Sequence, residues 1–401
     1  MKYAFLTTLM PKEMEDEIRR RSKHNMQDAA NALQWHIYDG FCANLQENIK
    51  LFNILPIGSF PQYYSKMFIR KSSFYDNANN EHSNIGFCNI KFLRKYHQPK
   101  KIFAQLKKWC KESDEEKTLF VYTVSAPFMI AVSKIKRLFP NLKVCAIVAD
   151  LPNMSSLSNK KTLIKKIFEK NQASASYSRL GCIDAFVLLT KQMSDYMKIT
   201  QPYVVVEGIS TNNVPLIERK ITKTKNILYT GTLHKRFGIL NLIEAFKQID
   251  LKNYKLTICG SGDSDADIKK LAEEDSRIDF KGQLKREDII KLQQEATVLV
   301  NPRQNNEEFT KYSFPSKNLE YLSSGVPLVA YKLDGIPDEY DRYINYVNND
   351  SVKSLTQTLI SVCEDIDGTA SDRAISAARF VREEKNSKKQ TLKIVKLLES
   401  L

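Results

Sequence analysis

Short apolar runs alternate along this chain with longer segments whose apolar residues recur every three or four positions, which predicts strands separated by helices. In the first half the runs are YAFLTTL from Tyr3, IKLFNILP from Ile49, TLFVYTV from Thr118, KVCAIVAD from Lys143, AFVLLT from Ala185 and YVVVEG from Tyr203. Between them lie a helical pattern around Ala29 to Trp35, a basic helix from about Lys100 to Lys111, one through Ile135 and a lysine-rich one. Residues 71–85 are polar and turn-rich, so they read as a loop. The second half repeats the alternation with NILYTG from Asn226, KLTICGSGD from Lys255, IDFKGQL from Ile278, VLVNP from Val298, PLVAY from Pro327 and INYV from Ile344. Its first helix places Ile239, Leu242, Ile243 and Phe246 on one face. Helices are also expected over Ser316–Ser324, Ser351–Cys363, Ala370–Glu383 and Ser387–Leu398. Strands alternating with helices imply an α/β chain with doubly wound parallel sheets.

A chain of 401 residues has room for two such domains. The polar, proline-containing stretch Thr211–Lys225 suits a linker, giving domains at 1–215 and 216–383 and a terminal helix at 384–401. No run of 18 apolar residues appears, and the start reads as a strand with no signal-peptide cleavage site. The seven cysteines are scattered singly and form no metal-type pair, which fits free thiols in a reducing cytoplasm. The net charge of +15 is unevenly shared: residues 1–215 carry +13 and residues 216–401 carry +2. The first half lacks zinc-finger and RNA-recognition signatures, so the charge points to an anionic membrane surface or a polyprenyl-phosphate acceptor, with no nucleic acid expected. Lys160–Lys170 is a basic amphipathic segment that reads either as a solvated helix face or as a helix lying on anionic lipid.

Chemistry concentrates in Asn301–Tyr331, where an apolar strand stopped by proline runs through a polar loop into a helix and then a second apolar strand. Such a loop and helix start lie at the carboxyl edge of a parallel sheet, where open α/β sheets bind ligands. Pro315 suits the first turn and Ser316 can cap, leaving N–H groups that attract phosphate. Glu320, one turn on, reads as a surface glutamate or as the acceptor for two ribose hydroxyls.

The pattern SFPSKNLEYLSSGVPLVA resembles the donor-binding segment of the retaining glycosyltransferases of family 4, which have the GT-B fold. Glu320 matches that family's second glutamate, Gly325 and Pro327 its G-x-P, and Tyr312 stands where its first glutamate would be. The turn Gly231-x-Leu233…Gly238 resembles the family's diphosphate loop, and Arg236, then Lys235, stand nearest its basic position. The resemblance implies two Rossmann-like domains facing across a cleft, the terminal helix crossing back to the first. It assigns donor contacts to Gly231, Thr232, Lys235, Arg236, Gly260, Gly262, Gly282, Leu284, Ser313, Pro315, Ser316, Lys317 and Glu320, and catalytic roles to Arg236, Asp150 and Tyr312. Asp150, ending its strand, reads first as a helix cap or turn aspartate and after that as the acidic candidate on the acceptor side, and Glu207 is a weaker acidic candidate.

The implied activity is transfer of a sugar from a nucleotide diphosphate, UDP most commonly, to a hydroxyl of a polyprenyl-diphosphate-linked or oligosaccharide acceptor with retention of configuration. The implied setting is capsule, O-antigen or exopolysaccharide synthesis at the inner face of a bacterial membrane. No D-x-D pair ends a strand, and Asp263, Asp265 and Asp267 read as a solvated helix start, so metal independence and no cofactor are expected. A nucleotide-sugar epimerase of the same fold and a non-catalytic nucleotide-sugar-binding subunit are the alternatives.

Overall fold

A computed structural model describes residues 1–23, 26–45, 47–151, 171–210, 215, 223–365 and 368–401. The chain forms two compact units, one of Met1–Glu207 with Ser387–Leu401 and one of Gly208–Asn386. The first therefore ends eight residues before the expected boundary at 215, and its last segment begins at Ser387 rather than 384. Most of the expected linker, and the whole of Lys160–Lys170, lie outside the described residues.

The strands, in chain order, are β1 (Lys2–Thr7), β2 (Ile49–Asn53), β3 (Phe68–Ile69), β4 (Ser72–Tyr75), β5 (Glu81–Asn84), β6 (Phe87–Cys88), β7 (Lys117–Tyr122), β8 (Lys143–Val148), β9 (Ala185–Leu188) and β10 (Tyr203–Val205) in the first unit. They form a sheet ordered β10-β9-β8-β7-β1-β2-β5-β4, parallel except where β4 returns along β5, while β3 and β6 pair separately and antiparallel. Every residue of β7, and all of β8 but its first, is buried, as expected of strands covered on both faces.

Two expectations change here. Residues 71–85 hold the hairpin β4–β5 instead of a loop. Its turn is built by Asp76, whose Oδ1 accepts from the N–H groups of Ala78 (2.9 Å) and Asn80 (2.8 Å). The polar alternation hid these strands because Phe74 is the single apolar core residue of β4. The basic helix starts at Lys91 and runs to Cys110, nine residues earlier than expected, with Pro99 inside it.

The terminal helix Ser387–Glu399 packs on Asp28–Leu45, both in the first unit. The contact is backbone-close: a Cβ on Gly40 would sit 2.3 Å from the Ser387 carbonyl oxygen. Asn44 Nδ2 donates to Lys388 O and Thr391 Oγ1, each at 2.8 Å.

The second unit is one parallel sheet of β11 (Lys225–Thr232), β12 (Tyr254–Ser261), β13 (Ile278–Gly282), β14 (Val298–Asn301), β15 (Leu328–Ala330) and β16 (Asn345–Tyr346), ordered β13-β12-β11-β14-β15-β16. Ile239, Leu242, Ile243 and Phe246 of helix Ile239–Lys247 all reach its core. Strand order reverses between β11 and β14, and their carboxyl ends frame the candidate site. No helix among the described residues is long and apolar enough to cross a membrane, and all seven cysteines are free thiols.

Candidate functional site

Two glycines let the strand ends crowd together. Gly260, at φ +140°, has the Gly231 carbonyl oxygen 1.8 Å from where a Cβ would stand. Gly238, at φ +79°, has the Pro302 carbonyl oxygen at 2.1 Å, so the loop Leu233–Gly238 can lie on the end of β14. Behind them Tyr321 pins β11. Its hydroxyl accepts from the Thr230 N–H and donates to the Thr230 carbonyl, both at 2.8 Å, and burial raises its pKa so that the proton stays.

Around this rigid end lies a cavity of about 210 Å³. Its walls are Tyr229–Thr232 from β11, the side chains of Phe237, Asn301 and Arg303, and the stretch Phe314–Lys317 with Tyr321. Pro315, rather than a serine, occupies the cap position of helix Ser316–Ser323, and no side chain caps it. The first N–H groups of a helix have no partner in their own helix, so those of Ser316 and Lys317 are available at the cavity wall.

Arg303 is the cavity's chief cation. Its guanidinium lies 4.2 Å from the centre of the Phe309 ring and 5.4 Å from that of Phe237, and it donates to Ser313 Oγ at 2.8 Å. Its Nε is buried without a hydrogen-bond partner. Burial, with the nearby Arg236 charge adding to it, pulls the Arg303 pKa down to about 10. A cation held dry against two aromatic rings, with an unused donor and the Glu307 carboxylate only partly offsetting its burial, suits an anion.

The other expected residues take varied places. Arg236 is absent from the cavity wall: its guanidinium bonds Glu307 and stacks 4.1 Å from the Phe309 ring centre. Lys235 is exposed and pairs with Asp267 at 2.7 Å. Ser313 supports Arg303, and Tyr312 ends the short turn Glu308–Tyr312 just before it. Glu320 stands behind the helix start, ion-paired to Lys317 at 3.0 Å and accepting 2.6 Å from Gln293, whose same nitrogen donates to Thr230 Oγ1 at 3.1 Å. The Gly262 N–H donates to Asp265 at 2.8 Å. Gly282, at φ +64°, faces open space, and Leu284 rests half-buried on the core of this unit.

Asp263 takes His234 Nδ1 at 2.6 Å and the Lys235 N–H at 3.0 Å. Burial works against its carboxylate, but these bonds outweigh it and lower the pKa. Asp150 belongs to the first unit, two residues past the end of β8, where desolvation raises its carboxyl pKa although solvent still reaches it. Glu207 is buried at the last position of that unit's main segment.

Asn301 and Arg303 lie in the stretch Asn301–Tyr331 where the sequence concentrates its chemistry, but neither they nor Phe237 carry an individual role there. The available signal for Arg303 was its place two residues beyond the end of β14, at the ligand-binding edge.

Residues 214–380 match the family model described as glycosyl transferases group 1. Among solved structures the chain is similar to sucrose-phosphate synthase from Thermosynechococcus elongatus (14% identity, TM-score 0.65, covering 100% of this chain and 99% of that one). It is similar to the lipopolysaccharide outer core galactosyltransferase WaaB in its apo form (14%, TM-score 0.63, 100% and 99%). It is also similar to HepE of Anabaena in complex with UDP (13%, TM-score 0.64, 100% of both). The fold is GT-B, with two Rossmann-like units. No curated protein matches the chain.

Proposed function

We propose that this protein is a retaining, metal-independent glycosyltransferase. It takes its sugar from a nucleotide diphosphate, UDP foremost, and delivers it to a hydroxyl of a lipid-linked or oligosaccharide acceptor. The setting is bacterial surface-polysaccharide assembly at the inner membrane face. The observation that carries the reading is the cavity where an unpartnered Arg303 Nε, Lys317 and an uncapped helix start converge beside the end of β11. That donor set suits a diphosphate, and Glu320 one turn behind suits a ribose. The UDP bound in the similar HepE structure supports the choice of base.

In the reaction the acceptor hydroxyl attacks the anomeric carbon on the face from which the diphosphate leaves. The C–O bond to the diphosphate breaks as the C–O bond to the acceptor forms, and the hydroxyl proton passes to the departing phosphate oxygen. Arg303, Lys317 and the helix N–H groups stabilise the negative charge that develops there, and fixed donors of this kind are each worth about 3 kcal/mol. Asp150 remains the acidic candidate on the acceptor side and Tyr312 the neighbour of the donor sugar.

The test incubates the full chain with UDP-glucose, UDP-galactose and UDP-N-acetylglucosamine, with and without a polyprenyl-diphosphate-linked sugar. It follows UDP release and the anomeric proton coupling of the product. Acceptor-dependent UDP release, an α product from an α donor and indifference to EDTA are expected. An inverted product, or a donor isomerised without acceptor, would contradict the reading.

A further inference from the structure

The first unit carries an exposed aromatic face at the start of its basic helix. Phe92, Leu93 and Tyr96 fall within one turn of helix Lys91–Cys110, and all three are more than half exposed. Phe68, more than half exposed as well, joins them through the β3–β6 ladder: it pairs with Cys88, and the Asn89 N–H donates to the Met67 carbonyl at 2.7 Å, two residues before the helix begins. Scattered exposed apolar residues are ordinary, but large aromatic ones gathered in one place mark a contact surface.

The charges around the face say what it contacts. Helix Lys91–Cys110 contains seven Lys and Arg and no Asp or Glu. Lys91 lies 5.8 Å from the Phe92 ring centre, Lys95 4.8 Å from that of Tyr96, and Lys107 6.0 Å from that of Phe103, so cations flank the aromatic stripe along the helix. Lys100 and Lys101 are exposed on the next turn, and Arg70 and Lys71 on the neighbouring strand segment. Arg94 points the other way. It donates to the Ile57 carbonyl at 2.7 Å and to Asn89 at 3.2 Å, and burial lowers its pKa to about 10, so it anchors the first turn to the body of the unit. The aromatic face is thereby held rigidly outward.

We infer that this face docks the protein on an anionic lipid bilayer: Phe68, Phe92, Leu93 and Tyr96 enter the headgroup region while the flanking lysines meet lipid phosphates. Aromatic and long apolar side chains with a lysine rim suit an interface that is apolar within and negative at its surface. The docking deepens the reading of a lipid-linked acceptor, since it brings the enzyme to the membrane that holds one. It rests on that reading for its purpose alone.

The test is flotation of the full chain with vesicles of phosphatidylcholine alone or with about one third phosphatidylglycerol, with UDP binding measured on the same samples. The wild type floats with anionic vesicles at least tenfold better than with neutral ones, and salt weakens the binding. The variant Phe92→Ser/Leu93→Ser, and separately Lys100→Glu/Lys101→Glu, lose flotation by tenfold or more while UDP binding and the unfolding midpoint stay unchanged. Vesicle binding that survives in both variants, or no binding by the wild type, overturns the inference. So does a solution dimer that dissociates in Phe92→Ser/Leu93→Ser, which would give the face to a second copy. Failure of UDP binding with flotation intact would instead count against the donor site and leave the docking face standing.

Discussion

The carboxyl edges of the two sheets start from the same topology and end differently. In the first unit the chain leaving β1 is closed off by amide side chains. Asn53 accepts from the Leu9 N–H at 2.6 Å and returns a bond to its carbonyl at 2.9 Å, Gln34 accepts from the Thr8 N–H at 2.7 Å, and Asn31 accepts from the Met10 N–H at 2.8 Å. The N–H groups of Thr8, Leu9 and Met10, the ones that leave β1, are thereby spent. In the second unit the matching edge has glycines for close approach, an uncapped helix start and an arginine with an unused donor. The turn after β1 is thus closed internally, whereas the end of β11 keeps close-packed glycines, free helix N–H groups and an arginine donor together, a set that suits an anion.

Four changes break or sharpen that contrast. The largest effect falls on Gly260→Val. Its Cβ cannot stand beside the Gly231 carbonyl at φ +140°, so the second unit loses about 3 kcal/mol or more and UDP binding disappears. Calorimetric unfolding should show its transition about 10 °C lower. Next is Asn53→Leu, which orphans the Leu9 backbone and the buried Asn84 amide. It costs the first unit about 2 kcal/mol but leaves UDP affinity alone. Both tryptophans, Trp35 and Trp109, belong to that unit, so urea unfolding followed by their fluorescence reads it directly.

Glu320→Ala comes third, weakening UDP about tenfold in calorimetry, since the carboxylate serves the ribose, while inorganic pyrophosphate binding is kept or strengthened because Lys317 loses its ion-pair partner. The smallest effect is a pH slope confined to the first unit. His82 is buried beside Asp76 and Tyr38, and burial lowers its pKa below the usual 6.5 against the opposing pull of Asp76. As pH falls below about 6.5 the unfolded form gains a proton before the folded one, so stability of the first unit drops. His82→Gln should flatten that slope.

Much of this was legible in the sequence where the physics is local. The buried face of helix Ile239–Lys247, the apolar strands β7 and β8, and the glycines at the ends of β11 and β12 follow from periodicity and turn chemistry. The segment Pro315–Glu320 drew attention because strand, loop and helix are contiguous there. What stayed hidden depends on distant partners. Arg236 and Lys235 stand nearest the phosphate position in sequence, and what position alone could not show is that they pair with Glu307 and Asp267, 71 and 32 residues on in the chain, while the Arg236 Nε stays unpartnered. Arg303 had no motif to announce it, and its role rests on the packing of Phe237 and Phe309 around it. The β4–β5 hairpin escaped because one buried phenylalanine in polar surroundings leaves no periodic trace.

The most direct measurement is the affinity of UDP, by titration calorimetry, for the wild type, for Arg303→Ala and for the charge-neutral double variant Arg236→Ala/Glu307→Ala. A guanidinium bonded to the diphosphate is worth about 1.5–3 kcal/mol, so Arg303→Ala should bind UDP about 10- to 100-fold more weakly, and the double variant should stay close to wild type. A wild type that binds no nucleoside diphosphate, or an affinity lost in the double variant and kept in Arg303→Ala, would contradict the account.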